Sequence, residues 1–151
     1  MKATDGSIRW RLHLASPPER VYALLASPRG RARFWARSAE GEGEGEGEGG
    51  TIEFRFVDGT ELRSRVLEEA PPHRFALTYF GGSTVVFELA PDGAGGTDLL
   101  LTETGVPEDE RLENLAGWVS VLLALKAAAD FGVDLRNGDP GRSWAHGYVD
   151  V

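Results

Sequence analysis

From Ile8 to Leu14 apolar and polar residues alternate, with Ile8, Trp10, Leu12 and Leu14 on one face and Arg9, Arg11 and His13 on the other. That is the period of a half-buried strand. The same period returns in Ile52, Phe54 and Phe56 against Glu53 and Arg55, in Leu62, Ser64 and Val66 against Arg63 and Arg65, and in Phe75, Leu77 and Tyr79. It returns again in Val85–Leu89 and Leu99–Glu103, which the Gly-rich stretch Pro91–Gly96 joins as a hairpin. Asp58-Gly59 is a second hairpin turn, Ala70-Pro71-Pro72 ends a strand and Gly81-Gly82 reverses the chain. The other face of these strands carries Glu53, Arg55, Glu61, Arg63, Arg65, Arg74, Thr78, Thr84, Glu88 and Thr102, which predicts a solvated surface with cross-strand charge pairs.

Two short helices are predicted after the first strand. Ser16-Pro17-Pro18-Glu19 reads as a helix start, with Ser16 as the cap, prolines in the first turn and Glu19 at the capping-box position. Val21, Leu24 and Leu25 form its apolar face; Pro28 breaks it, and Arg29 to Trp35 makes a second helix whose Phe34-Trp35 end turns inward. The last helix runs from near Pro107, with Glu108, Asp109 and Glu110 in its first turn, to just before Gly132, a length of roughly 36 Å at the standard rise. Leu112, Leu115, Val119, Leu122 and Ala129 form one stripe, and Trp118, Val121 and Leu125 widen it. Such breadth implies contact on more than one side, first with the sheet and the short helices, then with a second copy of the chain or a ligand. A sheet that feeds into one long apolar helix predicts an α+β fold in which a curved antiparallel sheet wraps that helix and can enclose a cavity.

At 151 residues the chain is expected to form a single domain able to bury roughly 68–70% of its unfolded surface. Its core spans about 8–131, followed by a tail, 132–151. Glu40 to Gly50 is an almost pure Glu-Gly alternation; glycine entropy and like-charge repulsion predict a mobile acidic surface loop. The tail is turn-rich from Asp134 to Gly141, yet Trp144, Tyr148 and Val149 follow, so it is expected to dock on the domain or on a second subunit. Cysteine is absent, which excludes disulfides, thiolate zinc sites and a cysteine nucleophile. The start, Met1 to Gly6, lacks the apolar core of a signal peptide, and the run Val119–Ala129 is broken by Ser120 and Lys126, so a cytoplasmic protein without a membrane partner is expected. A formal charge of -8 argues against nucleic acid, whose binding rests on clustered Lys and Arg.

Taken in order, Ser16-Pro17-Pro18-Glu19-Arg20-Val21-Tyr22, Phe34-Trp35, Gly49-Gly50, Glu68–Phe75, Thr78-Tyr79, Gly95-Gly96-Thr97-Asp98-Leu99 and Gly117-Trp118 resemble the SRPBCC superfamily. Within it they resemble bacterial homologues of the C-terminal domain of the heat-shock protein 90 ATPase activator. The resemblance covers roughly Ile8 to Phe131 and implies the helix-grip fold of START and birch-pollen-allergen proteins, often with an apolar cavity. Ser64 departs from it, standing where those relatives often carry glycine. The two-domain co-chaperones carry an additional N-terminal domain for which this chain has no room, so a chaperone partner is not expected and fold alone does not assign activity.

The three histidines, His13, His73 and His146, share no metal-ligand spacing, and no G-x-S-x-G elbow appears, so neither a metal, a cofactor nor a catalytic residue is assigned. The candidate ligand-binding residues are those around the space between sheet and helix: Trp10, Trp35, Phe54, Phe56, Leu77, Tyr79, Phe87, Leu101, Glu103, Trp118, Leu122 and Leu125. Tyr79 and Glu103 are polar groups on the apolar face; they either orient a ligand, act as acid and base, or reach solvent from strand ends. Three readings follow: a non-enzymatic domain that binds a small apolar or amphipathic molecule, as a monomer or a homodimer; a protein-interaction module using the sheet's exposed face; and a cyclase-like or hydrolase-like enzyme using Tyr79 or Glu103.

Overall fold

A computed structural model describes residues 6–41 and 47–151. Seven strands, β1 (Ile8–Leu14), β2 (Ser38–Gly41), β3 (Thr51–Arg55), β4 (Glu61–Ala70), β5 (Arg74–Thr78), β6 (Thr84–Pro91) and β7 (Thr97–Thr104), form one antiparallel curved sheet in the order β1-β7-β6-β5-β4-β3-β2. The chain's two ends of sheet are brought together by β1 pairing with β7, Ile8 opposite Glu103 and Leu14 opposite Thr97. Alternation decides which face is inward: Ile52, Phe54, Val66, Phe75, Leu77, Val85, Phe87, Leu99 and Leu101 are all buried. The outward face is laced by charge pairs, Arg74 with Glu68 at 2.5 Å and with Glu88 at 2.6 Å, and Arg63 with Glu53 at 3.4 Å. Ser64 lies inward and fully buried opposite Ile52, and its hydroxyl has no partner among the described residues.

Helices α1 (Pro18–Ala26) and α2 (Pro28–Arg31) follow β1. The expected cap at Ser16 is corrected: Pro17 occupies the cap position and the Ser16 hydroxyl is drawn away, its one proton shared between Ala129 O and Asp130 Oδ1, each at 2.8 Å. A long-range buried partner outcompetes the local one. The second helix is also shorter than Arg29–Trp35. Ser27 caps it, accepting from the Gly30 N–H, and the chain leaves the helix after Arg31 in a turn that carries Phe34 and Trp35 into the core.

Strand β2 lies within and before the acidic stretch expected as loop. It pairs with β3, Ala39 opposite Phe54, and is tied down by Arg31, fully buried, which donates Nε and Nη2 to Ala39 O at 3.0 and 2.7 Å and Nη1 to Leu25 O at 3.2 Å. The other end of that stretch turns back at Gly49, whose N–H donates to Val66 O at 2.8 Å. The expectation of mobility for residues 42–46, like the leader reading for residues 1–5, lies outside the described residues.

Helix α3 (Arg111–Lys126) is preceded by a tight turn at Glu108–Glu110 and continued by a wider turn, Ala127–Phe131, that Gly132 stops at φ 65°. The buried face is Trp118, Leu122, Leu125, Ala128 and Ala129; the expected stripe is corrected at Leu112 and Val119, which are 78% and 39% exposed. Residues 108–131 are long and apolar enough to cross a membrane by length and composition alone. Here the helix is packed on the sheet and anchored by charge. Asp130 accepts from the N–H groups of Ala15 and Ser16 at 2.9 and 3.0 Å and from Lys126 at 3.1 Å.

Burial alone would raise the Asp130 carboxyl, but the bonds from Ala15, Ser16 and Lys126 outweigh it and hold it at about 2. The folded value lies below that of an unfolded aspartate, about 3.9, so the contribution is complete above about pH 4 and is lost as pH falls through about 2. Asp130→Asn should therefore cost on the order of 1–2 kcal/mol at neutral pH and flatten this part of the acid limb. Urea unfolding across that range measures it; parallel profiles for the two proteins would refute the assignment.

Candidate functional site

An open cleft of about 460 Å³ lies where the β3–β4 turn and the β5–β6 turn meet the first half of α3. Trp35, Tyr79, Phe80 and Trp118 form its base, Phe56, Val57, Asp58 and Thr60 one wall, and Glu110, Glu113, Asn114, Gly117, Ser120 and Val121 the other. The tail closes one end through Arg136, Asn137, Asp139, Ser143, Trp144 and Val151. Alternation places Phe56 and Tyr79 on the inward face of neighbouring hairpins, and the helix repeat places Asn114, Gly117, Trp118 and Val121 along one side of α3.

The base is a network of rings. Trp35 stands 4.9 Å from Phe54, 5.6 Å from Phe87 and 6.0 Å from both Tyr79 and Trp118, centroid to centroid. Its indole N–H donates to the Tyr79 hydroxyl at 3.0 Å. Tyr79 in turn lies 5.0 Å from Trp118 and 4.9 Å from Phe80. Burial, with the Glu103 carboxylate adding to it against the Trp35 bond, pushes the Tyr79 hydroxyl far above the ordinary tyrosine range, so it stays neutral.

Behind this layer Glu103 is fully buried. Ser83 Oγ donates to its Oε2 at 2.6 Å, and Trp118 Nε1 and Asn114 Nδ2 reach its Oε1 at 2.8 and 3.5 Å. Both oxygens are engaged, so the carboxylate orients Trp118 and Asn114. The expectation that Glu103 reaches solvent from a strand end is overturned by its position opposite Ile8 and Val85, inside three strands.

Of the residues singled out in the sequence, Trp35, Phe56, Tyr79 and Trp118 line the cleft. Phe54, Leu77, Phe87, Leu101, Leu122 and Leu125 are buried in the core that fills the space between sheet and helix. Trp10 packs on the far flank of α3, its indole donating to Leu115 O at 3.1 Å. The tail, expected to dock on the domain or on a second subunit, packs on the domain: Arg136 donates to Ala36 O and Ala32 O, both at 2.9 Å, and carries Asp139, Ser143 and Trp144 to the cleft. Its share in lining the cleft is what the sequence left unread, although Trp144 in a turn-rich tail signalled the docking.

Gly117 marks the cleft from inside a helix. A Cβ there would meet no atom within 4 Å. Glycine in a helix interior costs about 1 kcal/mol relative to alanine, and no close packing requires it here. What its missing side chain leaves is room in the cleft wall.

No curated protein matches the chain. Among solved structures, a crystal structure of a Staphylococcus saprophyticus protein is 25% identical with a TM-score of 0.75, covering 86% of this chain and 96% of that one. The solution structure of the Aha1 dimer from Colwellia psychrerythraea is 25% identical with a TM-score of 0.74, covering 83% of this chain and 97% of that one. A Chromobacterium violaceum protein is 29% identical with a TM-score of 0.66, covering 82% and 97% respectively. The family described as Activator of Hsp90 ATPase homolog 1-like protein matches residues 15–130, from the end of β1 into the turn that closes α3, and the chain belongs to that family, within the SRPBCC helix-grip superfamily.

Proposed function

We propose that this chain is a small-molecule-binding domain, without catalysis of its own, whose ligand is an apolar or amphipathic molecule seated in the cleft beside Trp118. The observation that carries this reading is the cleft itself: its volume of about 460 Å³ falls in the range of small-molecule sites, and its base is aromatic. Gly117 supports it, since it keeps space open at a cost to the helix. The enzymatic reading loses support because Glu103 spends both oxygens on neighbours and does not line the cleft.

Gly117→Leu separates binding from folding. Its side chain would project into the cleft and raise helix propensity, so the variant should melt at least as high as wild type and fail to bind. With neutral polycyclic aromatics at about 100 times Kd, wild type should gain about 2.7 kcal/mol of stability and the variant none. If no aromatic raises the wild-type melting temperature, the reading fails.

A second reading concerns self-association and can hold alongside the first. The side of α3 turned away from the sheet exposes Leu112 and Leu123, at 78% and 48%, the latter beside Val119, Leu135 and Val149. One structural relative is a dimer. Such a stripe is a candidate subunit contact. Sedimentation velocity should find a wild-type dimer that Leu123→Glu converts to a folded monomer; a wild type monomeric at all concentrations excludes this contact.

A further inference from the structure

The base of the cleft is aromatic but its rim is acidic. Asp58, Glu110, Glu113 and Asp139 all line it, and no lysine or histidine does. Asp139 is neutralised by Arg142. Arg136, the basic residue in the lining, has a side chain only 8% exposed, and its donors are spent on Asp134 and on the carbonyls of Ala32 and Ala36. Among the described residues no ion pair engages Asp58, Glu110 or Glu113. The start of the helix offsets only about half an elementary charge, and Glu108 and Asp109 stand in the same first turn. The chain as a whole carries -8.

Acidic groups around a concave, low-dielectric site focus a field that gathers cations and repels anions. Indole and phenol faces add to this, because their quadrupoles attract a cation held above the ring. Resting on the small-molecule reading above, we propose that the cleft selects a cationic aromatic amphiphile. Its ring system lies against Trp118, Tyr79 and Phe56, and its ammonium group sits at the rim between Glu110 and Glu113. The same rim turns away molecules that carry a carboxylate, fatty acids among them.

Three probes with one ring system and one differing substituent test it: naphthylmethylamine, naphthylmethanol and naphthoate, titrated calorimetrically into the full chain. At low salt the amine should bind roughly tenfold tighter than the alcohol, and the carboxylate roughly tenfold weaker, the spread shrinking as salt rises. Glu110→Gln with Glu113→Gln should bring the amine and the carboxylate toward the alcohol, so that the spread between the three affinities, and not any one of them, is the readout. If the alcohol binds and the three affinities are equal, or the carboxylate is tightest, the charge selection is wrong while the small-molecule reading stands. If none of the three binds at any salt concentration, both readings fall.

Discussion

Replacing Trp35 by alanine is expected to lower the stability of this protein by about 3–5 kcal/mol, measured by urea unfolding. The residue is 4% exposed and stands within contact of five rings, Phe34, Phe54, Tyr79, Phe87 and Trp118. Truncation removes the transfer energy of a large aromatic and leaves a void, because the rings around it are held by two strands and a helix that cannot collapse together. It also removes the donor to the Tyr79 hydroxyl. Trp35→Phe keeps most of the packing and loses the donor, so it should cost about half as much or less. The alanine void would join the cleft, and a larger neutral aromatic should recover part of the loss by binding only the folded state. A loss below about 1 kcal/mol would show that these rings rearrange around a smaller residue, contrary to the packing described.

Glu103→Leu is expected to cost a similar amount, about 3–5 kcal/mol, for a different reason. Leucine fills much of the volume, so no large void forms. The substitution also relieves a buried carboxylate of its desolvation cost, which favours the variant. Against that, the Trp118 N–H, the Ser83 hydroxyl and the Asn114 amide lose their acceptor, and two of these cannot turn to water: Ser83 is fully buried and Trp118 is 2% exposed. Each stranded buried donor costs about 1–3 kcal/mol, so the donors decide the sign. Glu103→Gln keeps one acceptor for Trp118, and Ser83 can rotate its proton to accept from the new amide, which limits the loss to about 1 kcal/mol. The contrast between the two variants is the diagnostic result. A leucine variant as stable as wild type would mean that desolvation had cancelled the three bonds.

How much of this was legible beforehand follows from the range of the forces involved. Strand positions were readable at β1 and at β3 to β7 because a sheet buried on one face imposes a period of two that no distant contact can alter. The long helix and its stop at Gly132 were readable for the same reason, as local geometry with a local signal. Strand β2 was not. Ser38–Gly41 has one buried side chain, Ala39, and is held by Arg31 from another element, so nothing within the strand announces it. Nor could the sequence choose the buried side of α3, since Leu112, Val119 and Leu123 offer apolar positions as good as those of Trp118, Leu122 and Leu125. The position of the sheet chose.

The site divides along the same line. Local pattern alone placed a set of aromatic residues, Trp35, Phe56, Tyr79 and Trp118 among them, inward between one antiparallel sheet and one helix, because residue type and period set the face on which each side chain lies. Which rings became core and which became cleft wall was decided only in three dimensions. That depended on where two hairpin turns end relative to α3 and on Arg136 carrying the tail across to Ala32 and Ala36, contacts about 100 residues apart in the chain. Separations of that size are invisible to periodicity, which reports the face a residue takes but not what stands opposite it.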